Sequence, residues 1–168
     1  MKKKHWCKVL AVLLFLGYGA LMIYLLFFRN RTATDGLTYW EQVNRNYNLT
    51  IWHTIGNFWD ILVRREYYMG KWEADVYYNH ARIAIINLVG NVVMFVPLGV
   101  LIPTIWTRLQ RLWKVMPIGF GCILAVEICQ LFTLRGKCDV DDLLLNMLGI
   151  ALGYISWRLV RTYRRKHK

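Results

Sequence analysis

Four stretches of the chain run almost free of charge, at residues 9–28, 83–106, 115–133 and 143–160. An α-helix rises about 1.5 Å per residue, so a hydrocarbon core about 30 Å thick takes about 20 apolar residues to cross. The first two runs carry no charge, the third carries Glu127, and the fourth carries Arg158 near its end, where a long side chain reaches the interface. This pattern predicts an all-α integral membrane protein: a four-transmembrane-helix bundle forming a single membrane domain over residues 1–168. Lys2, Lys3, Lys4 and Lys8 precede or open the first run, as in a signal peptide. Its apolar stretch is long and no small-x-small cleavage pattern follows, so it reads as an uncleaved anchor.

Between the first two spans, residues 29–82 hold eleven Trp, Tyr and Phe residues but no apolar run long enough to cross. The expected place for such a segment is the extracytoplasmic interface, where amphipathic rings settle among headgroups. Ile55, Phe58, Trp59 and Leu62 recur at helical spacing, so residues 51–63 are expected to form an amphipathic helix or a shallow re-entrant element. An aromatic platform of this kind also suits a sugar or a lipid headgroup.

The charge distribution sets the orientation. The net charge of +12 would suit nucleic acid, yet the basic residues flank the apolar runs, so no nucleic-acid partner is expected and the lipid bilayer is. With the N-terminus inside, the segments assigned to the cytoplasm hold 13 basic residues and no acidic one. Nine basic residues remain outside, mixed with acidic ones, and the positive-inside rule therefore puts both termini in the cytoplasm. Trp6, Trp106, Trp113 and Trp157 all fall at that same predicted interface. Cys7, Cys122, Cys129 and Cys138 show no paired short spacing, so neither a disulfide framework nor a zinc site is expected, and no cofactor.

The polar residues within the spans share one depth. Asn87 and Asn91 lie one turn apart within about 12 Å of the outer end of the second span. Glu127 and Gln130 share a face of the third, and Asn146 enters the fourth about one turn below Arg135, Lys137, Asp139, Asp141 and Asp142. Side chains of this kind are costly against lipid, so they are expected to face protein or a hydrated cavity. Asp139, Asp142 and Asn146 line one face if a helix begins near Asp139, and Asp is a good N-cap. A plain structural account therefore exists: Asp139 and Asp141 cap the fourth helix and pair with Arg135 and Lys137. Gly149 and Gly153 make a small-x-x-x-small step suited to close helix approach. Pro97 leaves the carbonyl of Val93 without its helical donor.

The ordered set NLVGNVVMFVPLGVLIP (87–103), EICQL (127–131) and RGKCDVDDLLLNMLGIALGY (135–154) resembles the VanZ-like family, over about residues 44–155. The resemblance rests on N-x-x-x-N-x-x-x-F-x-P-x-G, E-x-x-Q and D-x-D-D-x-x-x-N in that order, and puts the family's recurring polar positions on Asn87, Asn91, Pro97, Glu127, Gln130, Asp139, Asp142 and Asn146. Upstream, NLTIWHTI (48–55) is similar to the family's N-L-x-P-F, with Ile51 in place of the proline and Trp52 in place of the phenylalanine. The resemblance implies a bacterial cell-envelope protein of the plasma membrane, linked to resistance to the glycopeptide teicoplanin.

Two classes of function fit. In the first, the protein is not an enzyme and holds an amphipathic ligand at an outer-leaflet pocket: a lipoglycopeptide, a lipid-linked wall precursor or a teichoic-type polymer. The expected ligand-binding residues are Asn87, Asn91, Glu127, Gln130, Arg135, Asp139, Asp142 and Asn146. In the second, a membrane enzyme works on a lipid headgroup, with Glu127 as general acid or base and Asp139, Asp141 and Asp142 holding a divalent cation. D-x-D-D lacks the glycine and distal glutamate of a calcium loop, and no Ser/His or Cys/His constellation accompanies it. A transporter is disfavoured because the cytoplasmic half of every span lacks polar residues to complete a path.

Overall fold

Each apolar run folds as a helix, but the bilayer alone does not set where each begins and ends. The computed structural model describes residues 2–28 and 36–167, so residues 29–35, the start of the aromatic segment, lie outside the described residues. In chain order the helices are α1 (Lys2–Ile23, continued by a π-helical turn, Tyr24–Phe28), α2 (Tyr39–Arg45), α3 (His53–Val63), α4 (Arg65–Met69), α5 (Ala74–Ile105), α6 (Leu112–Thr133) and α7 (Val140–Lys166). Residues Lys8–Phe28 and helices α5, α6 and α7 are long and apolar enough to cross a membrane. At about 1.5 Å per residue, α5 and α7 reach about 48 and 40 Å, more than the hydrocarbon thickness. Accordingly α5 starts at Ala74 rather than at 83, and α7 continues to Lys166 rather than stopping at 160.

The largest interface joins α5 and α7. It is close because three glycines, Gly99 on α5 and Gly149 and Gly153 on α7, remove the side chains that would separate the backbones. A Cβ on Gly149 would lie 2.2 Å from the Val92 carbonyl oxygen, and one on Gly153 would lie 2.1 Å from that of Val96. Helices that touch backbone to backbone gain van der Waals contact that lipid cannot supply. Around this seam Phe95, Leu98, Ile102, Val115, Ile123, Ile150 and Tyr154 form the buried core. α6 joins through a stripe at helical spacing, Val115, Gly119, Ile123, Glu127 and Gln130, all buried.

α1 packs against α5, with Ala11 beside Leu101 and Ile105, and Phe15 edge-on to Trp106 at 5.5 Å. Farther along, the Tyr18 hydroxyl donates to the Met94 carbonyl at 2.9 Å, just ahead of Pro97. α5 continues as helix through Pro97 and Pro103. The Trp157 ring lies under the Arg161 guanidinium, and Arg161 also donates to the side chain of Gln110. This is the Lys- and Arg-rich end of the bundle.

At the other end the aromatic segment folds back over the helices. The Tyr39 hydroxyl at the start of α2 donates to the Phe132 carbonyl at 2.8 Å, near the end of α6. Residues 51–63 do contain the expected helix, α3, and Ile55, Phe58 and Leu62 are partly buried along it; Trp59, expected on that face, is 63% exposed. Tyr77 is buried, whereas Trp40, Trp52 and Tyr78 are exposed. A feature with no sequence signature closes this end: β1 (Tyr47–Asn48) pairs in parallel with β2 (Cys138–Asp139), joining segments about 90 residues apart. The Cys138 amide also donates to the Asn46 carbonyl at 2.8 Å.

Candidate functional site

The polar residues that share a depth along the spans do meet in space. Asn91 on α5 donates from Nδ2 to Asp142 Oδ1 on α7 at 2.5 Å. The Asp139 amide, at the entrance to α7, donates to Glu127 Oε2 on α6 at 3.4 Å. Gln130, one turn along α6 from Glu127, donates from Nε2 to the Leu26 carbonyl at 3.0 Å and ties in the π-helical turn after α1. Glu127, Gln130 and Asn146 are buried, and Asn146 Oδ1 has no hydrogen-bond partner.

These side chains border a cavity of about 550 Å³ at the junction of α5, α6, α7 and the end of α1. Asn87, Asn91, Glu127, Gln130, Asp142 and Asn146 all line it. Leu25, Leu26, Ile86 and Met94 supply an apolar wall, and Lys137 stands at its edge. Asp139 borders a second, smaller cavity of about 240 Å³ next to it, beside Asn48, His53 and Thr54. Asn87, Lys137 and Asp142 line both. Arg135 lines neither, and its amide donates to the Gln130 carbonyl at 3.0 Å. Asn87 lines both cavities, but its Nδ2 donates to the Ile83 carbonyl of its own helix at 3.0 Å.

The aspartates divide their work. Asp139 caps α7, accepting from the Asp141 amide at 2.9 Å through Oδ1. Its other oxygen accepts from Thr54 Oγ1 at 2.5 Å and from Asn48 Nδ2 at 3.3 Å. Asp141 caps a different helix. Fully buried, it accepts from the amides of Trp52 at 2.7 Å, Thr54 at 2.8 Å and Ile55 at 3.0 Å, the free donors at the start of α3. The expected pairing of Asp139 and Asp141 with Arg135 and Lys137 is not what forms. Among the described residues the one ion pair is Arg64 with Asp60 at 2.9 Å, and the backbone and hydroxyl donors of the aromatic segment occupy the aspartates instead.

That arrangement also accounts for an unusual backbone. Trp52 sits in the left-handed region with φ 67°, a conformation that costs a non-glycine residue about 1–2 kcal/mol. A hydrogen bond to a charged acceptor contributes about 1.5–3 kcal/mol, so the three bonds to Asp141 outweigh the strain. Trp52 stands at the position where the similar family segment carries a phenylalanine after its proline. With Ile51 in place of that proline, the turn is held by Asp141 rather than by a fixed ring.

Among the described residues no group of three or more His, Cys, Asp or Glu is arranged to hold a metal ion. Asp139 and Asp141 have their oxygens committed to chain donors, which leaves the trio of Asp139, Asp141 and Asp142 poorly suited to a shared cation. The Cys138 thiol, beside the capping residue, is pushed above its ordinary pKa by burial, with the carboxylates of Glu127 and Asp139 adding to the effect.

Sequence reasoning missed Asn48, Thr54 and the α3 amides. Their one signal is the NLTIWHTI segment, whose family likeness marks the stretch without saying what it touches. No curated protein and no solved structure matches the chain significantly. The profile of the VanZ/LLP1 family matches residues 15–161, which takes in every element of the site from α1 to α7. This multi-pass membrane chain belongs to the VanZ/LLP1 family.

Proposed function

We propose that this protein lies in a bacterial plasma membrane with both termini in the cytoplasm and contributes to glycopeptide resistance of the teicoplanin type. It does so by holding an amphipathic ligand in the cavity between α5, α6 and α7. The ligand is a lipoglycopeptide, a lipid-linked wall precursor or a teichoic-type polymer, taken from the outer leaflet. One observation carries this reading: amide and acid side chains from three separate helices border a single space of about 550 Å³ that apolar side chains also line. Ligand sites combine an apolar lining with a few convergent polar groups in this way. The cavity lies at the end away from the Lys and Arg clusters, which supports an outer-leaflet location under the positive-inside rule.

The ligand-binding residues in this reading are Asn91, Glu127, Gln130, Asp142 and Asn146, with Asn87 at the edge and Asp139 positioning the neighbouring wall. Arg135 lines neither cavity and meets an approaching ligand from outside. The test is susceptibility to glycopeptides that differ only in their acyl chain, in cells carrying the wild type, Glu127→Gln or Asn91→Ala at equal protein level. Lost tolerance in the variants, graded by acyl chain and without a change in membrane lipids by mass spectrometry, supports binding. Unchanged tolerance removes the cavity from the function, and an altered lipid species points to headgroup chemistry instead.

A further inference from the structure

The cavity has an excess of hydrogen-bond acceptors. Glu127 and Asp142 each bring a carboxyl group, and the buried Oδ1 of Asn146 takes no bond from the chain. Three of the lining amides already donate within the chain: Asn87 Nδ2 to the Ile83 carbonyl, Asn91 Nδ2 to Asp142 and Gln130 Nε2 to the Leu26 carbonyl. Glu127 receives one long bond, at 3.4 Å, from the Asp139 amide. No Lys, Arg or His of the described residues comes within ion-pair distance of either acid, and exposed Lys137 at the edge is no exception. An ionised buried acid without a cation or a full set of donors is costly, and an incoming cationic donor offsets that cost.

The chemistry of that donor follows from the walls. An anionic head, phosphate or carboxylate, brings further acceptors and a charge that opposes ionisation of the two acids. A neutral hydroxyl brings one donor and no charge. A primary ammonium brings a positive charge and three N–H donors on a compact tip, matching oxygens from Glu127, Asp142 and Asn146. A divalent metal ion is a poorer fit, because among the described residues no group of three His, Cys, Asp or Glu is gathered to ligate one. Leu25, Leu26, Ile86 and Met94 line the same space, and Ile86 is 48% exposed. An alkyl or other apolar body attached to the ammonium therefore has a wall to lie against.

We infer that the cavity recognises the protonated primary amine of an amphipathic ligand, seated among Glu127, Asp142 and Asn146 with its apolar part along Leu25, Leu26, Ile86 and Met94. The inference rests on the reading of this cavity as a ligand site and names the headgroup it takes. It is tested on the purified full chain in a neutral detergent at neutral pH, with hexylamine, hexyltrimethylammonium and hexanol as probes and binding followed by saturation-transfer NMR. Hexylamine is expected to bind at least about tenfold more tightly than the other two, the equivalent of one well-matched polar interaction. Glu127→Gln and Asp142→Asn abolish the preference, and Trp113→Ala, at the far end of the bundle, preserves it.

Equal binding of hexylamine and hexyltrimethylammonium overturns the inference, because charge without N–H donors then suffices. Equal binding of hexanol overturns it too while leaving an amphiphile site in place. Displacement of hexylamine by sodium or magnesium at millimolar concentration assigns the space to a metal ion and also overturns it. If no probe binds yet Glu127→Gln still lowers glycopeptide tolerance, the amine is wrong and the cavity's role stands. If neither happens, both fall. The wild-type probe series decides selectivity by itself should an acid variant fail to fold.

Discussion

The Thr54 amide donates to Asp141 Oδ2 at 2.8 Å, across 87 positions of sequence, and this contact makes the first turn of α3 depend on the first turn of α7. The amides of Trp52 and Ile55 complete the arrangement, so one buried carboxylate terminates a helix to which it does not belong. The Asp139 oxygen that accepts from Thr54 Oγ1 at 2.5 Å adds a second link beside it. The aromatic segment is thereby tied to the start of α7, where it borders the smaller cavity beside the polar one.

Asp141→Asn presents an amide group where three backbone donors converge, and it removes the charge that strengthens their bonds. The expected cost is about 2 kcal/mol or more, in line with the loss of a charged acceptor and the burial of unsatisfied donors. Thermal unfolding in detergent measures it, and protease cleavage between residues 48 and 63 should rise at temperatures below the main transition. A variant that melts like the wild type and resists cleavage equally would show that the aromatic segment is held by other contacts.

Gly153→Ala places a methyl 2.1 Å from the Val96 carbonyl oxygen and 3.0 Å from the Gly99 Cα, so α5 and α7 must separate. Overpacking of this kind costs about 1–3 kcal/mol, and the seam it opens runs towards the cavity. Gly90→Ala, where the added Cβ meets nothing within 4 Å, serves as the control. Equal melting temperatures for the two variants would contradict the close approach of these helices.

The Cys138 thiol is held above its ordinary pKa of 9.0 by burial first and by the Glu127 and Asp139 carboxylates second. Since the thiolate is the reactive form, maleimide labelling of Cys138 should rise with pH along a curve displaced upward from that of a free thiol. A variant lacking the other three cysteines, labelled across a pH series, reads this directly. A curve that coincides with glutathione would mean that Cys138 is neither shielded nor near those acids.

Hydrophobic thickness is a local property: about 20 apolar residues in a row satisfy it without reference to the rest of the chain, and the residue pattern alone shows four runs of that kind. Depth is nearly as local, because a fixed rise per residue carries Asn91, Glu127 and Asn146 to similar levels once the spans are drawn. The close step at Gly149 and Gly153 is legible for the same reason, since helical spacing puts both on one face.

Partnership is not local, and only the tertiary structure decides it. Asp139 and Asp141 read equally well as caps of their own helix, as partners of Arg135 and Lys137, or as ligands of a cation. The outcome depends on where the chain returns from Asn48 to Ile55, and no periodicity links Trp52 or Thr54 to an aspartate about 90 positions away. Which acid keeps an oxygen free of chain donors, Asp142 rather than Asp141, and which amide is left unpartnered, Asn146 rather than Asn91, follow from that long-range closure. Helix formation needs neighbours within four residues, whereas the satisfaction of a buried polar group needs whatever the fold brings to it.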